Sequence, residues 1–263
     1  MILQTRALGF AYGDEQIVSD LDLTIGEGRI TALVGANGSG KSTILKNLAR
    51  ILKPSQGAVY LDQHMLAELP TKAIAREMAV LPQNPEAPAG LLVRELVGYG
   101  RFPWQKPFAT MSTQDQAAIE TALRLTNMTE FADRPVGTLS GGQRQRAWIA
   151  MALAQDSRIL LLDEPTTFLD MAHQLEVLSL LDRLNREQGR TIVMVVHDLN
   201  HALRYAHHVV VIRAGRIIAT GQPDMVLTPE ILSAAFGVHA DLITDPRSGK
   251  SICVPFALSR QEP

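Results

Sequence analysis

The sequence has little of what marks several large classes of protein. It holds a single cysteine, Cys253, so the chain cannot form an internal disulfide. Its formal net charge is only −2, which argues against a nucleic-acid binder, because affinity for phosphate backbones comes from excess Lys and Arg. The longest uninterrupted apolar run, residues 147–154, is far shorter than the about 20 residues that span a membrane. The first residues lack the features of a signal peptide. These absences predict a soluble, cytoplasmic protein.

What is present is the composition of an ordinary folded domain. Hydrophobic residues make up 46% of the 263 residues and charged residues 20%, a mixture that excludes a disordered chain. A chain of this length can bury a large core in one domain, or in one domain with a subdomain.

Strand and helix patterns alternate along most of the chain. Apolar strand patterns cover residues 3–12, 17–25, 30–34, 57–61, 159–162, 191–196 and 209–212. Helical patterns cover residues 42–52, 91–98, 113–125, 141–154, 171–187 and 199–206. Two short strand candidates flank a turn at 245–249.

This order predicts an α/β fold with a mostly parallel sheet flanked by helices. An antiparallel β subdomain is expected at the N-terminus and a helical subdomain is expected as an insertion. The predicted core comprises residues 1–84 and 156–263, and the predicted insertion comprises residues 85–155.

A glycine-rich segment, residues 35–42, follows a predicted strand and opens a predicted helix. Its sequence Gly-Ala-Asn-Gly-Ser-Gly-Lys-Ser fits the phosphate-loop pattern G-x-x-x-x-G-K-S/T. Loop N–H groups and the helix dipole would stabilise a polyphosphate, while Lys41 would reach the β- and γ-phosphates and Ser42 would ligate Mg²⁺. The alternative is a chance glycine-rich turn, which this context disfavours. The candidate nucleotide-binding residues here are Gly35, Asn37, Gly38, Ser39, Gly40, Lys41, Ser42 and Thr43.

Two carboxylates end the apolar strand at residues 159–162. A buried parallel strand projects its C-terminal residues into the crevice where ligands bind. Asp163 would hold Mg²⁺ through a water molecule, and Glu164 would polarise the attacking water, since in-line hydrolysis needs an acceptor at the nucleophile. The alternative is that the pair merely begins a loop before Pro165. The presence of a phosphate loop in the same chain disfavours this alternative.

A second anion-binding helix start is predicted at Leu139-Ser140-Gly141-Gly142-Gln143. Ser140 is a good N-cap, and the two glycines leave backbone N–H groups accessible. An ordinary capped helix is the alternative.

Three motifs occur in the order phosphate loop, Leu-Ser-Gly-Gly-Gln, Leu-Asp-Glu. In this order they resemble the motifs of the nucleotide-binding subunits of ABC transporters. The resemblance covers nearly the whole chain and implies an α/β fold with a phosphate-loop NTPase core. It also implies an ATPase that uses ATP and Mg²⁺. It implies that Gln83 is the Q-loop glutamine that touches Mg²⁺ and water, and that Asp170 is the D-loop aspartate. His197 corresponds to the switch histidine that contacts the γ-phosphate. Tyr12 corresponds to the aromatic residue that stacks on adenine. The alternative interpretation of Tyr12 is an ordinary aromatic residue at a strand end.

The family resemblance also implies partners. Two chains of this family pack head-to-tail and sandwich two ATP molecules, so residues 139–143 would serve the ATP of the partner chain. A separate transmembrane permease would hold the subunit at the cytoplasmic face of the inner membrane, and a substrate-binding protein would take part indirectly. No nucleic-acid partner is expected.

Several fragments resemble the branch that imports ferric siderophores, haem and cobalamin. They are residues 99–103, residues 163–170 with Phe168 in place of a small residue, His173-Gln174, and residues 196–200. They favour a ferric siderophore importer, with a haem or cobalamin importer as the alternative. A soluble ABC ATPase that acts on nucleic acid or ribosomes, or a phosphate-loop kinase, fits the sequence less well.

A proline-rich loop at residues 100–107 carries aromatic residues. Phe102, Trp104 and Phe108 would suit docking of a membrane partner's short cytoplasmic helix. The alternative is that Trp104 packs under its own loop.

Overall fold

The computed structural model describes residues 2–106, 110–167 and 169–259, which form two compact units. The first unit joins the stretch up to Glu68 with the stretch from Thr191 onward, and the second runs from Leu69 to Arg190. These divisions differ from the boundaries at 84/85 and 155/156 inferred above, which remain a prediction.

The first unit is rich in strands. Its strands are β1 (Leu3–Tyr12), β2 (Glu15–Ile25), β3 (Ile30–Val34), β4 (Gln56–Leu61), β5 (His64–Met65), β8 (Thr191–Val195), β9 (His208–Arg213), β10 (Arg216–Gly221), β11 (Val238–Thr244) and β12 (Ser251–Leu258). Its helices are α1 (Lys41–Leu48), α7 (Leu199–Tyr205), α8 (Pro223–Val226) and α9 (Pro229–Phe236).

The second unit is mostly helical. Its strands are β6 (Met78–Leu81) and β7 (Ile159–Asp163). Its helices are α2 (Thr71–Glu77), α3 (Val93–Tyr99), α4 (Thr113–Leu125), α5 (Gly141–Ala154) and α6 (Met171–Gln188). Strands β6 and β7 pair in parallel, with Met78 opposite Ile159.

Three strand arrangements build the first unit. An antiparallel sheet has the order β2-β1-β4-β5, and β11 pairs with β12 in an antiparallel hairpin. Strand β3 pairs in parallel with β8 and β9, and β10 adds antiparallel to β9. Every residue of β3 and β8 is buried, as expected of apolar runs covered on both faces.

The predicted helix at residues 42–52 is shorter in the structure, and α1 ends at Leu48. Arg50 adopts a left-handed backbone with φ of 55°, and the N–H of Ile51 turns back to the carbonyl of Lys46 at 2.9 Å. A left-handed residue stops a helix in the way a C-terminal cap does.

One asparagine joins the terminal hairpin to α7. The Asn200 side chain accepts from the backbone N–H of Cys253 at 2.8 Å and donates to the Cys253 carbonyl at 3.3 Å. Burial raises the pKa of the Cys253 thiol above its usual value.

Across the described residues, no helix is both long enough and apolar enough to cross a membrane.

Candidate active site

The phosphate-loop segment lies between buried strand β3 and helix α1, as its sequence predicts. At Gly35, a Cβ atom would lie 2.1 Å from the carbonyl oxygen of Ile212, so the loop approaches β9 too closely for any side chain. At Gly40, the N-cap of α1, φ is 100°, a conformation that glycine adopts without strain. These two glycines fix the shape of the loop.

The groups that would face a polyphosphate are gathered in this loop. The Nζ atom of Lys41 donates to the carbonyl oxygens of Gly35 and Ala36, each at 2.9 Å. The N-cap residue of α1, Gly40, makes no side-chain hydrogen bond to the start of the helix. Within the described part of the chain, the buried hydroxyl of Ser39 has no hydrogen-bond partner. An uncapped helix start and a buried donor without an acceptor fit an anionic ligand.

Tyr12 and His197 belong to the same unit as the phosphate loop. Tyr12 ends β1. The residue is 52% exposed, and its ring lies edge-on to that of Phe10 at 4.8 Å between ring centroids. His197 is exposed in the turn between β8 and α7, where Asp198 caps α7 by accepting from the N–H of Asn200 at 2.8 Å. Their roles toward adenine and the γ-phosphate stay predictions.

The carboxylate pair lies in the second unit, at the end of β7. Asp163 is 2% exposed and Glu164 is 8% exposed. Glu164 has a left-handed backbone, with φ of 55°, which is strained for a residue with a side chain. Strain of this kind persists where the surrounding contacts hold it, and it gathers at functional sites.

The structure brings Gln83 and Glu164 together although 81 positions separate them. The Gln83 amide donates to Oε2 of Glu164 at 2.6 Å, and the Thr167 hydroxyl donates to the same oxygen at 2.9 Å. Sequence reasoning singled out Gln83 and Glu164 but not Thr167. The signal that could have found it is a hydroxyl residue three positions after the carboxylate.

The signature segment forms the capped helix start that the sequence predicts. The Ser140 hydroxyl accepts from the N–H of Gln143 at 3.3 Å, and the Gln143 side chain accepts from the N–H of Ser140 at 3.0 Å. This capping box orders the first turn of α5. Leu139 lies just before it and is buried.

Asp170 caps α6 in the same unit. Its Oδ1 atom accepts from the backbone N–H of His173 at 2.9 Å and lies 2.7 Å from His173 Nδ1. These two hydrogen bonds hold the pKa of Asp170 below its usual value. The other side of the His173 ring touches Gly142, because a Cβ there would lie 2.8 Å from two ring carbons. The D-loop aspartate and the signature helix therefore share one histidine as a neighbour.

Two glutamines that sequence reasoning did not assign hold the loop after Glu164. Gln145 of α5 donates to the carbonyl of Pro165 at 3.0 Å. Gln174 of α6 donates to the carbonyl of Leu169 at 3.0 Å. The loop is thus hydrogen-bonded to both α5 and α6.

The aromatic loop divides into an anchored part and an exposed part. The Trp104 indole donates to the carbonyl of Gln155 at 2.7 Å, and the Arg76 guanidinium lies 5.0 Å from its ring, so Trp104 packs against its own unit. Phe102 is 58% exposed and stacks on Tyr99 at 5.1 Å. Phe108 and Phe168 lie outside the described residues. The docking role of Phe102 remains a prediction.

The candidate magnesium ligands are Ser42, Gln83 and Asp163. Hydroxyl, amide and carboxylate oxygens are the donors that Mg²⁺ prefers, so their chemistry fits the ion. Among residues 2–106, 110–167 and 169–259, no three His, Cys, Asp or Glu side chains are grouped as a metal site would require.

Comparison with known proteins identifies the class to which this chain belongs. The family described as ABC transporter matches residues 18–167, and the chain belongs to that family. The protein is therefore an ABC-type ATPase that binds ATP, as its three motifs predict.

Curated relatives cover almost the full chain. The iron(3+)-hydroxamate import ATP-binding protein FhuC of Bacillus subtilis is 54% identical over 260 residues, which are 99% of this chain and 97% of that protein. The ferric enterobactin transport ATP-binding protein FepC of Escherichia coli is 44% identical over 253 residues, 96% and 93% of the two chains. The resemblance to the siderophore importer branch is confirmed.

Solved structures confirm the predicted fold class. A putative metal-chelate type ABC transporter in an inward-facing conformation has a TM-score of 0.84 and 32% identity, covering 97% of both chains. A bacterial ABC transporter cassette, solved as a dimer, has a TM-score of 0.75 and 28% identity, covering 84% of this chain and 99% of that one.

Proposed function

We propose that this ATPase energises the import of a ferric siderophore or similar iron chelate through a separate permease. The observation that carries the proposal is the full-length similarity to subunits of ferric hydroxamate and ferric enterobactin transport systems. The permease would hold the subunit at the cytoplasmic face of the cell membrane, and a substrate-binding protein would deliver the chelate to it.

The phosphate loop binds the ATP phosphates in this proposal. Loop N–H groups and the first turn of α1 donate to the phosphate oxygens, and Lys41 leaves its two loop carbonyls to reach the β- and γ-phosphates. The uncapped helix start and the buried hydroxyl of Ser39 support this assignment. Tyr12 stacks on adenine through its exposed ring face.

Glu164 accepts the proton of the attacking water, and His197 contacts the γ-phosphate. Mg²⁺, held by Ser42 and Gln83 and through a water molecule by Asp163, would supply positive charge to the phosphates. The strained, buried position of Glu164 at the end of β7 supports its role as base.

The ATP-bound state is proposed to be a head-to-tail homodimer. Residues 139–143 serve the ATP of the partner chain, and Asp170 lies in the D-loop. A bacterial ABC transporter cassette that was solved as a dimer supports the dimeric state. Loss of the γ-phosphate removes a bridge between chains, which couples dimer opening to hydrolysis.

Replacement of Glu164 by Gln tests the catalytic assignment. The variant should bind ATP, lose hydrolysis and accumulate a dimer, measured by phosphate release and by size-exclusion chromatography with and without ATP. A Glu164→Gln protein that hydrolyses ATP at the normal rate would show that another group is the base. Lys41→Ala is the variant for comparison. It should lose affinity for ATP, whereas Glu164→Gln should lose only hydrolysis.

Growth of a deletion strain under iron limitation tests the cargo. Complementation by the wild-type chain, but not by Glu164→Gln, should restore growth on at least one ferric siderophore. A strain that grows normally on every ferric chelate, or that fails only on haem or cobalamin, would refute the siderophore assignment.

A further inference from the structure

A single residue, Thr167, fixes both the backbone and the side chain of the proposed base. Its N–H donates to the Glu164 carbonyl at 3.2 Å, which closes a tight turn. Its hydroxyl donates to Glu164 Oε2 at 2.9 Å. A hydrogen bond from a hydroxyl to a carboxylate is stronger than one between neutral groups. Such a bond restricts the rotation of the carboxylate that accepts it.

The turn that carries Thr167 is itself held in place. Gln145 holds the Pro165 carbonyl from α5, and Gln174 holds the Leu169 carbonyl from α6. Thr167 is also β-branched, so few χ1 rotamers are open to its hydroxyl. The hydroxyl is therefore aimed at the carboxylate by fixed surroundings.

Gln83 and Thr167 differ as partners of Glu164. Gln83 comes from a distant segment and, in the proposed function, its amide also serves Mg²⁺. Thr167 lies three residues from Glu164 in the same turn, so its hydroxyl can donate to the carboxylate without depending on the position of the distant Gln83 segment.

We propose that Thr167 is a positioning residue, whose hydroxyl holds the Glu164 carboxylate in the orientation that accepts a proton from water. The inference rests on the proposed role of Glu164 as base. A misplaced general base slows the chemical step without weakening substrate binding, because its contact with the water counts most in the transition state.

Replacement of Thr167 by Val tests the hydroxyl at nearly constant shape. Thr167→Val should lower kcat about 10-fold, the loss expected for one hydrogen bond to a charged group, with KM and ATP affinity unchanged. With slow hydrolysis, the variant should also retain more ATP-bound dimer than the wild type in size-exclusion chromatography. Thr167→Ser restores the hydroxyl and should recover most of the rate.

Two controls keep the outcomes distinct. Thr121→Val makes the same replacement on the exposed side of α4 and should leave kcat, KM and the dimer fraction unchanged. In a Glu164→Gln background, Thr167→Val should cause no further loss of the residual rate, because the positioned carboxylate is absent.

Three results would overturn the inference. They are a wild-type kcat for Thr167→Val, an equal loss in Thr167→Ser, or a loss confined to ATP affinity. If Glu164→Gln itself hydrolyses ATP normally, the proposed base is wrong and the inference falls with it. If Glu164→Gln is inactive while Thr167→Val is normal, only the inference falls.

Discussion

At the scale of single residues, a buried ion pair stands out in the second unit. Arg101 donates to Asp115 at 2.9 Å, with side chains 4% and 8% exposed, and also to the Ala154 carbonyl at 2.7 Å. Removing one partner of such a pair leaves the other charge buried without compensation, which costs more than the pair itself contributes.

Arg101→Ala should therefore lower the free energy of unfolding by about 3 kcal/mol. Urea unfolding of the purified chain measures it. Arg94→Ala is the matched control, because Arg94 and Asp133 are 43% and 77% exposed and the expected change is at most about 1 kcal/mol. Equal losses in the two variants would contradict the difference in burial.

The pH dependence of this pair has a defined sign. The Ser112 hydroxyl first, and then Arg101, hold the pKa of Asp115 below its usual value of 3.8. A carboxyl with a lowered folded pKa adds stability above its unfolded pKa and loses it as the pH falls through the folded value. Asp115→Asn should thus be less stable than the wild type at neutral pH, with a gap that narrows in acid. Urea unfolding at a series of pH values tests this, and a gap independent of pH would refute it.

At the end of β7, the sequence predicts that a ligand site is present but does not predict the backbone conformation of that site. An apolar run followed by Asp163 and Glu164 predicts a ligand site, because strand ends in parallel sheets meet ligands. Glu164 has a left-handed backbone and accepts a hydrogen bond from the Thr167 hydroxyl. Both features follow from the path of the loop, which the conformational preferences of its residues do not determine.

At the scale of elements, helix starts were predictable where the caps are local. Helices α4 and α5 have the predicted bounds, and each begins with a capping box, at Ser112 and at Ser140. Helix α2 and strand β6 were missed because one runs directly into the other at Met78, without a Gly or Pro between them to mark the change.

The start of α5 depends on a glycine for its packing against His173. A Cβ on Gly142 would lie 2.8 Å from Cγ and Cδ2 of His173, and the ring is tethered to Asp170 through Nδ1. Gly142→Ala should lower the free energy of unfolding by about 1–3 kcal/mol, the usual cost of overpacking. Urea unfolding measures the change.

A double variant locates the clash. Gly142→Ala combined with His173→Ala should lose less stability than the sum of the single changes, since the three atoms nearest to the added methyl all belong to the His173 ring. Gly137→Ala is the control, because no described atom beyond its two chain neighbours lies within 4 Å of its Cβ position. Additive losses would mean that the His173 ring does not limit the space at Gly142.

At the scale of the whole molecule, each chain carries one phosphate loop and one signature helix start. The first belongs to the unit that contains Lys41 and the second to the unit that contains Ser140. In the proposed head-to-tail dimer, one site combines the phosphate loop of one chain with the signature segment of the other. Two chains that are each defective in a different motif can then rebuild one intact site between them.

A mixing experiment tests this arrangement. Lys41→Ala removes the phosphate-loop charge. Gly141→Asp places a carboxylate against the γ-phosphate at a helix start that tolerates negative charge, so the fold should persist. Each variant alone should be nearly inactive. Mixed in equal amounts, half of the dimers would contain one intact site, so hydrolysis should reach about a quarter of the wild-type rate. A mixture no more active than its parents would exclude sites shared between chains.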